Sequence, residues 1–135
     1  MVSVAIVVAD FRKEMTEKML WFAEKKAGEL GAEIPVVVRV PGAFETPLAA
    51  KKILEKGEAD AVVVLAVVLQ GATQHDVMVA ENAFRKIADL SLEFGKPVCS
   101  GIIGPRVSKK KAEQRLKEYA EHAVSAAIEM AKLKI

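Results

Sequence analysis

The feature that most constrains this chain is an almost unbroken run of Val, Leu and Ala side chains over residues 59–69. A short apolar run of this kind predicts a strand that is buried on both faces. A parallel sheet covered by helices on both sides requires such strands, whereas an antiparallel sheet with one wet face alternates apolar and polar residues. We therefore expect the chain to fold around a parallel sheet.

Strand-like and helix-like segments alternate along the rest of the 135 residues. The strands are predicted at residues 2–8, 33–40, 59–69 and 98–103. The helices are predicted at residues 13–30, about 47–56, 75–94 and from a Ser108 cap to about 133. This βαβαβαβα order, with short loops and right-handed crossovers, predicts an α/β fold. The expected architecture is a flavodoxin-like, doubly wound four-stranded parallel sheet with helices on both faces.

Length and charge limit the class of protein. A chain of 135 residues suits one domain, so residues 1–135 are expected to form a single domain. The 20 basic and 18 acidic residues are interleaved, which does not indicate a nucleic-acid surface. No apolar stretch is long enough for a bilayer, and the first residues lack a signal-peptide pattern. The lone Cys99 has no disulfide partner in the chain, which favours a cytoplasmic protein.

Apolar residues are more abundant than a small monomer readily hides, at 52% of the chain. In the first predicted helix Trp21 shares its face with charged residues. In the third, Met78, Val79, Leu90 and Phe94 lie off the main apolar stripe. This excess predicts a homo-oligomer with buried subunit contacts.

The loop after the longest predicted strand is the richest in chemistry, with the sequence GATQHD at residues 71–76. Free backbone N–H groups at a helix start suit a phosphate, and the Thr73 hydroxyl can donate to the same phosphate oxygen as these groups. His75 can accept and donate protons near neutral pH. The alternative for Thr73 is that it only caps the helix.

A second loop, at residues 40–47, places an aromatic ring and a carboxylate at another strand end. Glu45 can accept hydrogen bonds from a polyol, or it can merely complement the dipole of the helix that follows. Neither loop has the glycine spacing of dinucleotide or ATP sites, so neither cofactor is expected.

Residues 40–52, VPGAFETPLAAKK, together with GATQHD at residues 71–76, resemble lumazine synthase, and the similarity extends over nearly the whole chain. The short length and the Gly104-Pro105 loop resemble the archaeal members. The resemblance implies an enzyme of riboflavin biosynthesis that uses no metal or cofactor. Such an enzyme joins a ribitylamino-aminopyrimidine to a dihydroxybutanone phosphate through a Schiff base, loss of phosphate and ring closure.

The resemblance also implies the roles of individual residues. His75 would be the catalytic residue that transfers protons. The substrate-binding residues would be Phe11 stacked on the pyrimidine, Ala43 and Glu45 along the ribityl chain with Phe44 in the same loop, Val68 and Leu69 at the pyrimidine, and Gly71, Ala72, Thr73 and Arg115 at the phosphate.

Members of this family form pentamers, some assembled into sixty-subunit shells, with each active site at the contact between two neighbours. The partners implied are therefore two small-molecule substrates and further copies of the chain. Ala66 and Ser100 depart from the family, which usually has glycine and a bulky apolar residue there. Two alternatives stay open: an assembly protein on this scaffold with weakened or no catalysis, and an archaeal-type riboflavin synthase of the same fold.

Overall fold

The computed structural model describes residues 1–135, and a sheet of four parallel strands lies at its centre. The strands are β1 (Val4–Ala9), β2 (Val37–Val40), β3 (Ala61–Val67) and β4 (Val98–Ile103). Their order across the sheet is β2-β1-β3-β4, and each neighbouring pair is parallel. The predicted flavodoxin-like, doubly wound α/β fold is confirmed.

Helices cover both faces of this sheet. They are α1 (Lys13–Glu29), a 3-10 helix (Ala43–Glu45), α2 (Thr46–Lys56), α3 (His75–Phe94), α4 (Lys109–Glu113) and α5 (Leu116–Ala131). Helices α1 and α5 pack on one face, and α2 and α3 pack on the other. None of the helices has the length and apolar character that crossing a bilayer demands.

The two central strands explain the apolar runs in the sequence. Every residue of β1 and of β3 is buried. Alternate side chains of β1 enter opposite layers: Val4, Ile6 and Val8 lie beneath α1 and α5, whereas Ala5, Val7 and Ala9 lie beneath α2 and α3. Because neither face meets water, no position in these strands selects a polar residue.

The prediction of one last helix is wrong, because this segment forms two helices, α4 and α5. Ser108 caps α4 as predicted, with its Oγ accepting from the N–H of Lys111 at 3.2 Å. At Gln114 and Arg115 the backbone bonds shorten to a spacing of three residues, which ends α4. Helix α5 then ends at Ala131, two residues before the predicted end.

The second strand is shorter than predicted, and its first half is irregular. Glu33 pairs with Ser3, and Val37 pairs with Ile6, so residues 33–37 contain one residue more than residues 3–6. Pro35 lies in this stretch and has no N–H to donate, which interrupts the ladder. The bounds of β1 and β3 also differ by one to two residues from the predicted 2–8 and 59–69.

Polar side chains join the strands at the amino edge of the sheet, where we define the amino-edge cluster as Ser3, Glu33 and Asp60. The N–H of Ser3 donates to Oδ2 of Asp60 at 2.8 Å, and its hydroxyl donates to Oε1 of Glu33 at 2.6 Å. This cluster connects the starts of β1 and β3 to the segment before β2, far from the opposite edge where the loops of interest lie.

Candidate functional site

A cleft of about 380 Å³ opens at the carboxyl edge of the sheet, between the loops that follow β1, β2 and β3. It is lined by Phe11, Arg12, Gly42, Ala43, Phe44, Glu45, Val67, Val68, Leu69, Gly71, Thr73, His75, Asp76 and Val79. Open parallel sheets bind their ligands beyond the carboxyl ends of the strands, so this cleft lies where the fold places a site.

Hydrogen bonds that continue past β1 and β2 position Phe11. The N–H of Asp10 donates to the carbonyl of Val40 at 2.7 Å, and the N–H of Phe11 donates to that of Pro41 at 2.9 Å. Arg12 then adopts a left-handed conformation, with φ 62° and ψ 48°, and α1 begins at the next residue. The Phe11 ring stays 63% exposed, so an aromatic face is available to a planar ligand.

The 3-10 helix holds Glu45 at the rim of the cleft. The buried hydroxyl of Thr46 donates to the carbonyl of Ala43 at 2.7 Å, and the N–H of Glu45 donates to that of Gly42 at 3.2 Å. A Cβ at Gly42 would lie 3.3 Å from Oε1 of Glu45, so the carboxylate folds closely over this glycine. The exposed carboxylate can accept hydrogen bonds from hydroxyl groups.

The start of α3 brings an imidazole and a hydroxyl into the same cleft. His75 is the first residue of α3, and its N–H meets the Thr73 hydroxyl only at 3.4 Å. The cap residue, Gln74, makes no side-chain cap bond. The Thr73 cap contact is thus a long one, and the first turn of α3 keeps the N–H groups that attract an anion.

The loop after β4 contacts this helix start without lining the cleft itself. Asp76 is only 8% exposed, and its Oδ2 accepts from the backbone N–H of Arg106 at 2.9 Å. Gly104 approaches β3 so closely that a Cβ would lie 2.1 Å from the carbonyl oxygen of Val68. With φ at +117°, this position needs glycine on conformational grounds as well.

Nine of the eleven predicted site residues line the cleft: Phe11, Ala43, Phe44, Glu45, Val68, Leu69, Gly71, Thr73 and His75. Ala72 is exposed in the same loop but does not line it. Arg115 lies apart from the cleft, at the break between α4 and α5, where it pairs with Glu118 at 3.4 Å.

The cleft also contains residues for which the sequence predicts no role, chiefly Arg12, Asp76 and Val79. Asp76 belongs to the GATQHD motif and directly follows His75, so the sequence could have predicted that it lies in the cleft. Arg12 directly follows Phe11, but its residue type does not predict a left-handed backbone, a conformation that favours Gly, Asn and Asp.

Two other cavities lie elsewhere on the surface. A groove of about 540 Å³ between β2 and α2 is larger than the cleft, but it contains no histidine or hydroxyl group. A cavity of about 440 Å³ is lined by Ser100, Glu118, Tyr119 and the exposed His122 on the α5 side. We assign the site to the smaller cleft, because a stacking ring, a carboxylate, an imidazole and a helix start converge there.

Other chemistry finds less support in the structure. Burial raises the pKa of the Cys99 thiol, which disfavours the reactive thiolate. No three His, Cys, Asp or Glu side chains converge as the ligands of a metal ion would. The groups in the cleft instead suit stacking, polyol binding, phosphate binding and proton transfer.

Comparison with known proteins agrees with this set of groups. The pattern of the 6,7-dimethyl-8-ribityllumazine synthase family matches residues 1–134. A protein of that name from Methanococcus maripaludis is 48% identical over 98% of this chain and 96% of its own. The one from Methanoculleus marisnigri is 50% identical over 96% and 95%, and the one from Archaeoglobus fulgidus is 48% identical over 97% and 91%.

Proposed function

The chain belongs to the 6,7-dimethyl-8-ribityllumazine synthase family, and on this premise we propose that its cleft catalyses the reaction for which the family is named. The chain is then a transferase of riboflavin biosynthesis. It condenses 5-amino-6-ribitylamino-pyrimidinedione with 3,4-dihydroxy-2-butanone 4-phosphate. The observation that carries this proposal is the meeting of Phe11, Glu45, Thr73 and His75 in one cleft.

Each part of the substrates has a matching group in the cleft. The planar pyrimidine stacks on the exposed Phe11 ring near the Val68 and Leu69 backbone. The ribityl hydroxyl groups donate to the Glu45 carboxylate beside Ala43 and Phe44. The phosphate binds the Gly71 to Thr73 loop at the start of α3.

His75 lies at the phosphate end of the cleft, which suits it to the proton transfers of a multistep condensation. The amino group of the pyrimidine attacks the ketone and water leaves, which gives the Schiff base. Inorganic phosphate is then eliminated, and the ribitylamino nitrogen closes the ring with loss of a second water. These steps transfer protons at nitrogen, oxygen and, in the elimination, carbon, and one imidazole can act as both base and acid.

We further propose that the chain acts as a homo-oligomer, a pentamer or its sixty-subunit multiple, with Arg115 reaching the phosphate from a neighbouring protomer. Two observations support this arrangement. Arg115 is exposed and outside the cleft of its own chain. Large apolar side chains are also left uncovered, including Trp21, Met78 at 70% exposure and Leu92. Arginine suits this role because its planar fork binds phosphate through two donors.

Two coarser proposals complete this picture. Residues 1–135 form a single domain, supported by the one sheet on which every helix packs. The chain works in the cytoplasm, supported by its lone cysteine, which has no disulfide partner.

The proposed activity is tested by incubating the purified protein with both substrates and following lumazine absorbance above the uncatalysed background. Native mass spectrometry on the same sample counts the protomers. Lumazine formation by a pentamer or its multiple supports the proposal. A clean oligomer without rate enhancement would instead indicate an assembly protein. Conversion of lumazine to riboflavin without any butanone phosphate would indicate a riboflavin synthase.

A further inference from the structure

Arg12 caps the start of α1 through its carbonyl, which accepts from the N–H groups of Met15 and Thr16, and it has three further properties that bear on the cleft. It lines the cleft, its backbone is left-handed, and its guanidinium carbon lies 5.3 Å from the centroid of the Phe11 ring. It forms no ion pair and no side-chain hydrogen bond within the protomer. A left-handed residue that is not Gly, Asn or Asp points to a local requirement.

The neighbouring carboxylates do not pair with Arg12, so its guanidinium can interact with the aromatic ring. Arg39 binds Glu17 and also lies 3.6 Å from Asp10, so the carboxylate that precedes Phe11 already has a cation. Among the residues that line the cleft, Arg12 is the only lysine or arginine. Its charge therefore acts mainly on the Phe11 ring, at a distance within which cation–π attraction operates.

We infer that Arg12 is a positioning residue that holds and polarises Phe11 for stacking on the electron-rich ring of the pyrimidine substrate. The inference rests on the proposed function for the identity of that ring. Phe11 is largely exposed, so packing alone restrains its ring weakly. A cation over one face fixes the ring and leaves the opposite face to the ligand. The same cation draws electron density from the ring, which favours stacking on a heterocycle that carries amino groups.

Three substitutions separate the charge of Arg12 from its backbone conformation. Arg12→Asn removes the charge and tolerates the left-handed backbone. Arg12→Gly removes the charge and also frees the backbone, whereas Arg12→Lys keeps a positive charge. We expect Arg12→Asn and Arg12→Gly to raise KM for the pyrimidine about three- to tenfold. Arg12→Lys should stay within about twofold of the original chain, since a lysine ammonium also attracts the ring. The turnover number and KM for the butanone phosphate should not change.

A double-mutant cycle with Phe11→Leu tests whether Arg12 acts through the ring. In the Phe11→Leu background, Arg12→Asn should have no further effect on pyrimidine binding. An equal effect in both backgrounds would overturn the inference, because Arg12 would then act on the ligand independently. A rise in KM for the butanone phosphate instead of the pyrimidine would overturn it too, since the guanidinium would then serve the phosphate.

Calorimetric titration of each variant with the pyrimidine alone measures its dissociation constant and gives the same double-mutant cycle without turnover. The two proposals can therefore fail separately. A chain that binds the pyrimidine and shows the expected coupling, but forms no lumazine, would refute the proposed function and retain the role of Arg12. A chain that forms lumazine without any coupling between residues 11 and 12 would do the reverse.

Discussion

The carboxylate of Asp76 accepts a hydrogen bond of 2.9 Å from the backbone N–H of Arg106, thirty residues further along the chain. Asp76 directly follows His75 in the first turn of α3, and Arg106 follows the closely packed Gly104. Arg106 has a left-handed backbone, with φ at 59°. The bond therefore restrains a backbone conformation that an arginine does not readily adopt. This bond joins the loop after β4 to the helix that carries the imidazole.

Removing the Asp76 acceptor should destabilise the protein. Asp76→Ala leaves the Arg106 N–H without a partner, and the expected loss is about 1.5–3 kcal/mol in the free energy of unfolding. Asp76→Asn retains an oxygen acceptor and should lose less than half of that. Urea unfolding at one protomer concentration measures both, since oligomer stability depends on concentration. Equal losses in the two variants would show that the carboxylate charge, and not this bond, is responsible.

Gly104→Ala should be among the most damaging single-methyl additions in this chain. The new Cβ would collide with the Val68 carbonyl at a backbone angle that alanine avoids, so we expect a loss of about 3 kcal/mol or more. Gly28→Ala is the matched control, because a Cβ there meets nothing within 4 Å. In α1 that change should stabilise by about 0.5–1 kcal/mol. Thermal or urea unfolding that ranks the two variants equally would contradict the close approach of Gly104 to β3.

His75→Ala should lower turnover by about tenfold to a hundredfold or more, because proton transfer loses its imidazole. Gln74→Ala is the neighbouring control and should stay within about twofold, since this side chain makes no cap bond and was assigned no role. Native mass spectrometry should find the same oligomer for both variants. Unchanged turnover in His75→Ala would remove this residue from the mechanism.

The pair of Glu17 and Arg39 should make stability depend on pH in acid. The hydrogen bond from Arg39 holds the pKa of Glu17 below its ordinary value of 4.5. A carboxyl whose pKa is lowered on folding contributes stability above its unfolded pKa and loses it as pH falls through the folded value. The urea midpoint of the original chain should thus exceed that of Glu17→Gln at pH 7, and the two should converge as pH falls through the lowered pKa of Glu17.

Salt provides the control for this comparison. Glu17 and Arg39 are both exposed, so the difference between the two chains should be small and should shrink in 1 M NaCl, where the screening length is about 3 Å. A difference that persists unchanged at low pH or in high salt would assign it to packing instead of charge.

The strands and the position of the cleft follow from local features of the sequence. The apolar run at residues 59–69 predicts a strand covered on both sides, and the loops after parallel strands emerge at one edge of the sheet. The GAFET and GATQHD loops were therefore recognisable as neighbours in space. Six predicted site residues from these two loops line the same cleft, so the loops are neighbours in space, while the individual roles stay predictions.

What the sequence could not predict depends on contacts between distant segments. The bond between Asp76 and Arg106 requires the loop after β4 to reach the start of α3, which no residue pattern encodes. The left-handed Arg12 contradicts its own propensity, so only the surrounding structure determines it. The break at Gln114 and Arg115 lies within a continuous apolar stripe, and periodicity alone predicts one helix there.

The burial of β1 and β3 on both faces has a consequence for how the chain selects one strand alignment. In a sheet with one wet face, sliding a strand by one residue turns its apolar side chains to water and is strongly penalised. Here the same slide would exchange one apolar layer for the other, so the penalty would come from mismatched side-chain volumes, with the small Ala5 and Ala9 replacing larger residues, and not from exposure to water. Contacts at the ends of the strands add to this discrimination, because the bonds of the amino-edge cluster and the close approach of Gly104 to Val68 form at the observed offset. Side-chain size in the core and a few contacts at the strand ends thus together select one strand alignment.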